Sequence, residues 1–493
     1  MKQSGRGILW LVALMTVAYS AFGILRHWHF QSGYDLAIFD QAVWHYSRFE
    51  TPANTISGHA HILAEHFHPI LVLLAPLYWV LPRAETLLVA QAFLLSASAV
   101  PVYRLACERL GAGPGLAMSA AYVLFWGIQK AAAFDFHELA FAPLLIALAL
   151  LGIQTGRDRL FWPATLGLLL VKEELAGVVV FLGFLLVLKG RVAKGLLVSL
   201  LGLSAFAAII GWVMPAFQGS DGYTYAGAYG DLGAGPGAAF GAIMTQPSEV
   251  LGSLVSPPTK IRTFLMWVGP FLFLPLLSPL ALPAIPLVLA RFLSSSPNHW
   301  ATGFHYSAPL APILAMSAID GLARVLRHIP DAPRRDWIAR WAVALMVLLC
   351  AILPGKLPVW RLLSPAYYRG SEDEATARRA LALVPPTASV VAQASLTPHL
   401  SQRQSIYTLR PGAPEAQFVL AGETLSPWPN ESWLAIQALL ADLRARGYRT
   451  LFDEGAFAVL AAPEPPTKRD HREKKHRRLR GRARRSGASL PNR

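Results

Sequence analysis

Charged residues are scarce in this sequence. Asp, Glu, Lys and Arg make up 15% of the 493 residues, whereas a soluble domain carries about 25%. Apolar residues make up 54% of the chain, and they stand in long runs. These features exclude a soluble globular protein and predict a mainly all-α, polytopic membrane protein.

Cysteine is also rare. Cys107 and Cys350 are the only two in the chain, and both lie in apolar surroundings. Two isolated cysteines indicate neither a disulfide framework nor a metal site. The segments that we expect outside the cytoplasm also lack a phosphate-binding glycine loop and a serine-hydrolase elbow.

Acidic residues are fewer than basic ones, 29 against 44, which gives a net charge of +15. Much of this excess lies in residues 464–493, which we expect to form a disordered basic tail. A solvated tail that lies close to anionic lipid fits this composition. Nucleic-acid binding is not predicted, because no base-stacking motif accompanies the charges.

The first apolar run follows Lys2 and Arg6 and ends at Arg26-His27-Trp28, which is not a small-residue cleavage site. We therefore expect an uncleaved first helix with a cytoplasmic N-terminus. Further apolar runs bring the expected number of transmembrane helices to about eleven. These runs are residues 85–106, 114–133, 138–153, 159–171, 174–189, 195–215, 263–279, 280–293, 306–325 and 338–354.

The positive-inside rule gives one consistent orientation. The basic residues of segments 104–109, 157–159, 189–194 and 324–340 fall on the cytoplasmic side, and most carboxylates and histidines fall outside. This orientation requires residues 68–82 to form an interfacial helix. Its apolar part has about 14 residues, which at 1.5 Å per residue are too few for a core about 30 Å thick.

We divide the chain into three parts. Residues 1–358 form the transmembrane domain, which includes a first loop (residues 26–84) that we expect outside the cytoplasm. Residues 359–463 form a small extracytoplasmic α/β domain, and residues 464–493 form the tail. The pattern of the second part predicts helices at 372–383 and 433–447 and strands at 389–393, 418–421 and within 450–462.

The first loop contains seven of the 14 histidines. Imidazole and carboxylate groups suit a divalent metal such as Mg, Mn or Zn. The candidate ligands are His59, His61, Glu65 and His66. The alternative is hydrogen bonding at the membrane surface, beside His68, which precedes the interfacial helix.

Two aspartates lie on the helix that is predicted to follow Gly33. Asp35 is placed to cap this helix through its first-turn N–H groups, or else to act chemically. Asp40 lies five residues later, about 140° around the helix axis. Only one of the two carboxylates is therefore expected to face a given pocket.

Lys172 and Glu173 separate two apolar runs that are too short to cross a membrane fully. We expect both residues below the membrane surface, where charges face a polar cavity or each other. They are either functional or a structural ion pair. Other ionisable or polar residues at expected helix ends are Asp135, His137, Glu138, His305 and Tyr306.

Several motifs resemble those of a bacterial integral-membrane family of unknown function, DUF2079. They are, in order, YDLAIFDQAVW, EHFHPILVLLAPLYW, DFHE, LLVKEE, GFHYSAPLAP and ASLTPHLSQRQSIY. The resemblance covers roughly residues 8–420. More distantly, the layout resembles the GT-C glycosyltransferases, such as protein O-mannosyltransferases and aminoarabinose transferases.

The GT-C resemblance implies a set of site positions. Asp35 takes the position of the acidic residue on the first interfacial helix, and Glu138 or Asp135 that of the acidic residue heading the fourth span. His68-Pro69 begins the second interfacial helix. This chain has Asp35-Leu36 in place of the usual Asp-Glu pair, and Glu173 in place of the glycine that follows the lysine in many relatives.

The GT-C resemblance also implies a mechanism. A polyprenyl-phosphate sugar would enter from the bilayer of the bacterial inner membrane, with its phosphate near Lys172, His305 or a bound cation. Asp35 would act as general base on the hydroxyl of an unknown extracytoplasmic acceptor. The other catalytic candidates are Asp40 and Glu138. The other substrate-binding candidates are Glu173, His137, Asp135, Tyr306 and His68.

Two alternatives stay open at the level of the sequence. A transporter or flippase of a lipid-linked solute would favour repeated halves and broken helices at the membrane midplane, and no repeat is evident. A non-catalytic membrane scaffold would use the α/β domain to bind a partner. Substitution of the acidic residues distinguishes a scaffold from a transferase.

Overall fold

The computed structural model describes residues 2–218, 229, 241, 244–353, 355 and 357–463. The predicted basic tail at residues 464–493 lies outside the described residues. Helices up to residue 218 are α1 (Lys2–Trp28), α2 (Tyr34–Ser47), α3 (Ala75–Tyr78), α4 (Ala84–Ala97), α5 (Ala99–Leu110), α6 (Ala112–Leu124), α7 (Trp126–Ala132), α8 (Ala142–Thr155), α9 (Asp158–Leu168), α10 (Leu175–Leu188), α11 (Val192–Ala208) and α12 (Met214–Gln218).

The later helices continue this numbering over the described residues. They are α13 (Pro247–Val255), α14 (Thr259–Val268), α15 (Ala284–Phe292), α16 (Pro297–Trp300), α17 (Leu310–Leu326), α18 (Ala332–Ile352), α19 (Glu372–Ala382) and α20 (Trp433–Ala445). The strands are β1 (Val390–Ala392), β2 (Ile406–Thr408), β3 (Phe418–Gly422), β4 (Arg449–Glu454) and β5 (Phe457–Ala461).

Five helical segments in the described part of the chain are long and apolar enough to cross a membrane. They are Gly5–Trp28, Ala84–Leu110, Glu138–Thr155, Val192–Gln218 and His305–Leu326. Shorter apolar segments are Pro69–Tyr78, Ala112–Leu124 and Leu175–Leu188. The expected helical membrane architecture is thereby confirmed in outline, and the number of eleven spans stays a prediction.

The two spans predicted at 263–279 and 280–293 are wrong as continuous helices. Helix α14 ends at Val268, and three short 3₁₀ turns follow before α15 begins at Ala284. Proline explains the difference, because it lacks an N–H and clashes with the preceding helical turn. The prolines of this stretch are Pro270, Pro275, Pro279 and Pro283.

Basic residues gather at the end of the bundle away from the first loop. Asp320, near the end of α17, accepts a hydrogen bond from Arg324 Nε at 2.7 Å, and Arg109 Nη1 lies 3.8 Å from its other oxygen. Lys189 Nζ and Arg109 both donate to Gln154. These contacts bring together the helix ends that the positive-inside rule assigns to one side of the membrane.

The C-terminal region contains a five-stranded mixed sheet with the strand order β2-β1-β3-β5-β4. Strand β1 is parallel to β2 and β3, whereas β5 is antiparallel to β3 and β4. The predicted helices and strands of this region are confirmed. Strand β2 was not predicted, because three residues with only one clearly apolar side chain give no periodic signal.

One face of this sheet packs directly on the first loop. Ile38, Ala42 and Ile56 of the loop share a buried core with Leu420 and Phe457 of the sheet. The Thr55 hydroxyl also donates to Ile406 O at 2.6 Å. The opposite face of the sheet packs on helix α20. The first loop and the sheet therefore stabilise each other.

We predict that Leu420→Ala loosens the first loop as well as the sheet. Leu420 is 1% exposed in the shared core, and removal of a buried leucine side chain costs about 2–5 kcal/mol. Hydrogen exchange of α2 peptides in the detergent-solubilised protein measures the effect. Leu434→Ala is the matched control, because Leu434 is 75% exposed on α20. Unchanged α2 exchange in Leu420→Ala would contradict the shared core.

Candidate functional site

A group of ionisable side chains meets at the end of the bundle that carries the first loop. The segments that contribute them are far apart in sequence, and each contains a helix end or a turn. We call this group the charged cluster. Its members are Asp35, Glu65, His66, His68, Asp135, His137, Glu138, Lys172, Glu173, His305 and Tyr306.

A buried ion pair lies within this cluster. Lys172 Nζ is 3.1 Å from Glu138 Oε1, and the two side chains are 9% and 0% exposed. Lys172 lies in the turn between α9 and α10, and Glu138 begins the 3₁₀ turn that leads into α8. Removing one partner of such a pair leaves an uncompensated buried charge. The predicted Lys–Glu pairing therefore involves Glu138, not the adjacent Glu173.

Glu173 connects the first loop to the same turn. His66 Nδ1 lies 2.6 Å from Glu173 Oε1, and the Phe67 N–H donates to Oε2 at 3.0 Å. Both carboxylate oxygens are thus engaged by the loop. Glu173 was predicted to bind substrate, and these contacts give it an anchoring role.

Three histidines of the cluster have ring nitrogens that are not hydrogen-bonded within the described residues. They are His305, at both nitrogens, and His68 and His137, at Nδ1. The His137 and His305 rings are in contact, with centroids 3.7 Å apart. Burial lowers the pKa of His68 and of His137 to about 4. Both rings are thus neutral at pH 7, and unsatisfied nitrogens of this kind commonly receive water or ligand.

Asp35 lies in the first turn of α2 but does not cap it, so the capping interpretation is wrong. The residue at the N-cap position is Gly33. The carboxylate of Asp135 takes the capping role, because Oδ2 accepts from the Gly33 N–H at 2.9 Å and more weakly from the Leu36 N–H at 3.5 Å. Asp135, predicted to bind substrate, is thereby engaged with backbone. The Asp35 carboxylate accepts no hydrogen bond from the residues that the structure describes.

The surroundings of Asp35 favour its protonated form. Burial raises the pKa of Asp35 to about 8, and the negative charges of Asp135, Glu65 and Glu138 contribute in the same direction. The Lys172 ammonium opposes them. Asp35 therefore titrates near physiological pH, as a general acid or base requires.

Asp40 lies outside the charged cluster, and its catalytic role stays a prediction. Its carboxylate accepts hydrogen bonds from Tyr78 Oη at 2.5 Å, from Ser401 Oγ at 2.5 Å and from Gln402 Nε2 at 3.1 Å. Asp40 is 1% exposed. Its position about 140° around α2 from Asp35 directs it to the C-terminal region instead.

The four predicted metal ligands do not form a metal site. No three His, Cys, Asp or Glu side chains in the described part of the chain are close enough together to hold a metal ion. A 3₁₀ helix, Ile62–Ala64, lies between His61 and Glu65. His61 Nδ1 accepts from the Leu63 N–H, and His66 is paired with Glu173. His59 and Glu65 are the other two of the four predicted ligands. A requirement for a metal stays a prediction.

Arg291 was missed at the sequence level. Its guanidinium is buried and donates to His299 O at 2.6 Å and to Ser307 Oγ at 2.8 Å. It thereby fixes the segment that carries His305 and Tyr306, whose rings are 4.3 Å apart. The sequence feature that indicates this residue is a single arginine within an apolar stretch. Buried charges in membrane proteins are commonly functional.

We predict that Lys172→Met and Glu138→Gln each lower stability by about 3–5 kcal/mol, because each leaves one buried group without its partner. The double variant loses less than the sum of the two. Thermal unfolding in detergent measures these changes.

The matched control is Arg444→Met, which breaks an exposed pair at 3.4 Å from Asp453 and leaves stability nearly unchanged. Strict additivity of the two buried substitutions would show that Lys172 and Glu138 are not coupled.

A family model matches most of the chain. The model of a family described as predicted membrane protein (DUF2079) matches residues 26–452. This range includes the first loop, the charged cluster and most of the C-terminal sheet. A comparison with curated proteins finds no match.

The chain is similar in fold to two solved structures of ArnT from Cupriavidus metallidurans. ArnT from Cupriavidus metallidurans bound to undecaprenyl phosphate has 13% identity and a TM-score of 0.51, over 93% of this chain and 99% of that chain. Its apo form has 13% identity and a TM-score of 0.50, over 94% and 100%. The apo oligosaccharyltransferase from Archaeoglobus fulgidus has 12% identity and a TM-score of 0.40, over 84% and 69%. At these identities, the likeness to the ArnT structures shows the fold alone.

Proposed function

The chain belongs to the DUF2079 family of predicted membrane proteins, and we propose that it is a membrane-embedded GT-C-type glycosyltransferase. It moves a sugar from a polyprenyl-phosphate donor to an extracytoplasmic acceptor. The observation that carries this proposal is the position of Asp35 in the charged cluster, with no hydrogen bond from the described residues. The undecaprenyl phosphate bound to the structurally similar ArnT supports a donor of the polyprenyl-phosphate class.

In the proposed reaction, Asp35 acts as the general base. It takes the proton of an acceptor hydroxyl as the hydroxyl oxygen attacks the anomeric carbon of the donor sugar. The bond between that carbon and the phosphate oxygen breaks, and its electron pair leaves with the polyprenyl phosphate. General base catalysis of this kind contributes about 10²–10⁴-fold to the rate.

The phosphate lies near Lys172 and His305 in this proposal. Lys172 is paired with Glu138, but an ammonium group has three N–H donors and can serve a second acceptor. The His305 nitrogens have no hydrogen-bond partner among the described residues, and a neutral imidazole supplies one donor. His68, His137 and Tyr306 line the same region. These groups neutralise or hydrogen-bond the charge that develops on the leaving phosphate.

We predict that Asp35→Asn lowers turnover by about 10²–10⁴-fold while undecaprenyl phosphate binding is retained, because only the proton acceptor is lost. Release of polyprenyl phosphate from a panel of lipid-linked sugars, with protein in nanodiscs, measures turnover. Asp158→Asn is the matched control, because its side chain is 62% exposed and lies away from the cluster. Full turnover by Asp35→Asn would exclude Asp35 as the base.

We also predict that kcat/KM rises with pH through an apparent pKa of about 8. The raised pKa of Asp35 keeps the carboxyl protonated below this value, and only the carboxylate can accept a proton. A pH profile from 6 to 9.5 measures this rise, which follows one titrating group. The residual activity of Asp35→Asn does not show this rise of kcat/KM with pH. A wild-type profile that falls over this range would contradict the assignment.

A further inference from the structure

Helix α2 carries Asp35 but cannot cap its own N-terminus. The first N–H groups of a helix have no partner within the helix and are usually satisfied by the N-cap side chain. Here the N-cap residue is Gly33, which has no side chain. Asp135, 102 residues later in the chain, supplies the acceptor through Oδ2, at 2.9 Å from the Gly33 nitrogen. A carboxylate at a helix N-terminus is also favoured by the helix dipole.

Asp135 is itself held in place by two other helices. Arg26, near the end of α1, approaches Asp135 Oδ1 to 2.5 Å through Nη1. Gln91 of α4 holds the backbone around Asp135, since Nε2 donates to Ala131 O at 3.0 Å and Oε1 accepts from the His137 N–H at 3.0 Å. Asp135 is 4% exposed. Its carboxylate is thus a fixed point on which α2 begins.

We propose that Asp135, held by Arg26, is the positioning residue for Asp35. By closing the N-terminus of α2, it determines where the Asp35 carboxylate lies within the charged cluster. This inference rests on the proposed role of Asp35 as the base. In this proposal, Asp135 aligns the base. The sequence had suggested instead that Asp135 contacts the substrate.

The same residue also influences the titration of Asp35. After burial, the charge of Asp135 is the largest cause that raises the pKa of Asp35. The other groups that act on Asp35 are Glu65 from the first loop, Glu138 at the start of the α8 segment, Lys172 between α9 and α10, Tyr34 beside it on α2, and Tyr306 before α17. If Asp135 positions Asp35, its removal should therefore change the pKa of Asp35. A general structural role would not have this effect.

Two substitutions separate position from charge. Asp135→Ala removes the charge and both acceptor oxygens. Asp135→Asn removes the charge and one acceptor oxygen, and keeps one oxygen that can accept from the Gly33 N–H. Glu50→Gln is the matched control, because it also removes a carboxylate beside α2. Glu50 lies past the C-terminal end of α2, where it contacts His45 and Arg48. The protein is studied full length, in nanodiscs and without substrate.

The first readout is hydrogen exchange in peptides covering residues 33–40. Loss of a cap weakens the first turn, so we expect Asp135→Ala to exchange about fivefold faster there. Asp135→Asn exchanges at a rate closer to the wild type, and Glu50→Gln is unchanged. Wild-type exchange in Asp135→Ala would overturn the positioning role.

The second readout is infrared titration of the protonated carboxyl band that Asp35→Asn lacks. We expect its midpoint to fall by about one pH unit in Asp135→Asn, since a neighbouring negative charge is removed. The midpoint is unchanged in Glu50→Gln. An unchanged midpoint in Asp135→Asn would overturn the proposal. Neither readout needs turnover, so failure of the proposed transferase activity is distinguishable from failure of this inference.

Discussion

Buried carboxylates in this protein are held by partners from distant parts of the chain, and the rest of the site depends on this pairing. Glu138 is held by Lys172, Glu173 by His66, and Asp135 by Arg26. A buried charge without a partner is costly, so each pair fixes two segments relative to one another. Together these contacts join the first loop to α1, to the start of the α8 segment and to the turn between α9 and α10.

Asp35 differs from the other carboxylates that the sequence singled out. Asp135, Glu173 and Asp40 accept hydrogen bonds, and Glu138 forms an ion pair with Lys172. The Asp35 carboxylate has neither kind of partner among the described residues. It lies among like charges and near the Lys172 ammonium. An acid kept near its titration point in such surroundings is a candidate for proton transfer. The C-terminal region contacts the other side of α2, where Asp40 accepts hydrogen bonds from Ser401 and Gln402.

The sequence predicted those features that depend on local patterns. Apolar runs identified the five long candidate spans, and periodicity identified α19, α20 and most of the sheet. The breaks at Pro270 to Pro283 were not predicted, because they lie within continuous apolar runs that proline interrupts. The capping of α2 by Asp135 was not predictable either, since nothing in the local sequence shows which of several acids, 102 residues away, will meet Gly33.

The candidate site was predicted as a set of residues but not as a set of roles. Asp35, Lys172, Glu138 and His305 were expected together, and the structure brings them together. Asp40, Asp135 and Glu173 have carboxylates that are engaged elsewhere, and these engagements depend on tertiary contacts. The histidine-rich stretch matched metal chemistry by composition, but its fold places His61 and His66 against different partners.

The most direct test of the central claim is a structure of the purified protein with added undecaprenyl phosphate. We expect the lipid phosphate within about 2.6–3.2 Å of Lys172 Nζ or a His305 nitrogen, with the Asp35 carboxylate facing it across the cluster. Phosphate bound at a different place, with Asp35 separated from it by packed side chains, would contradict the transferase account.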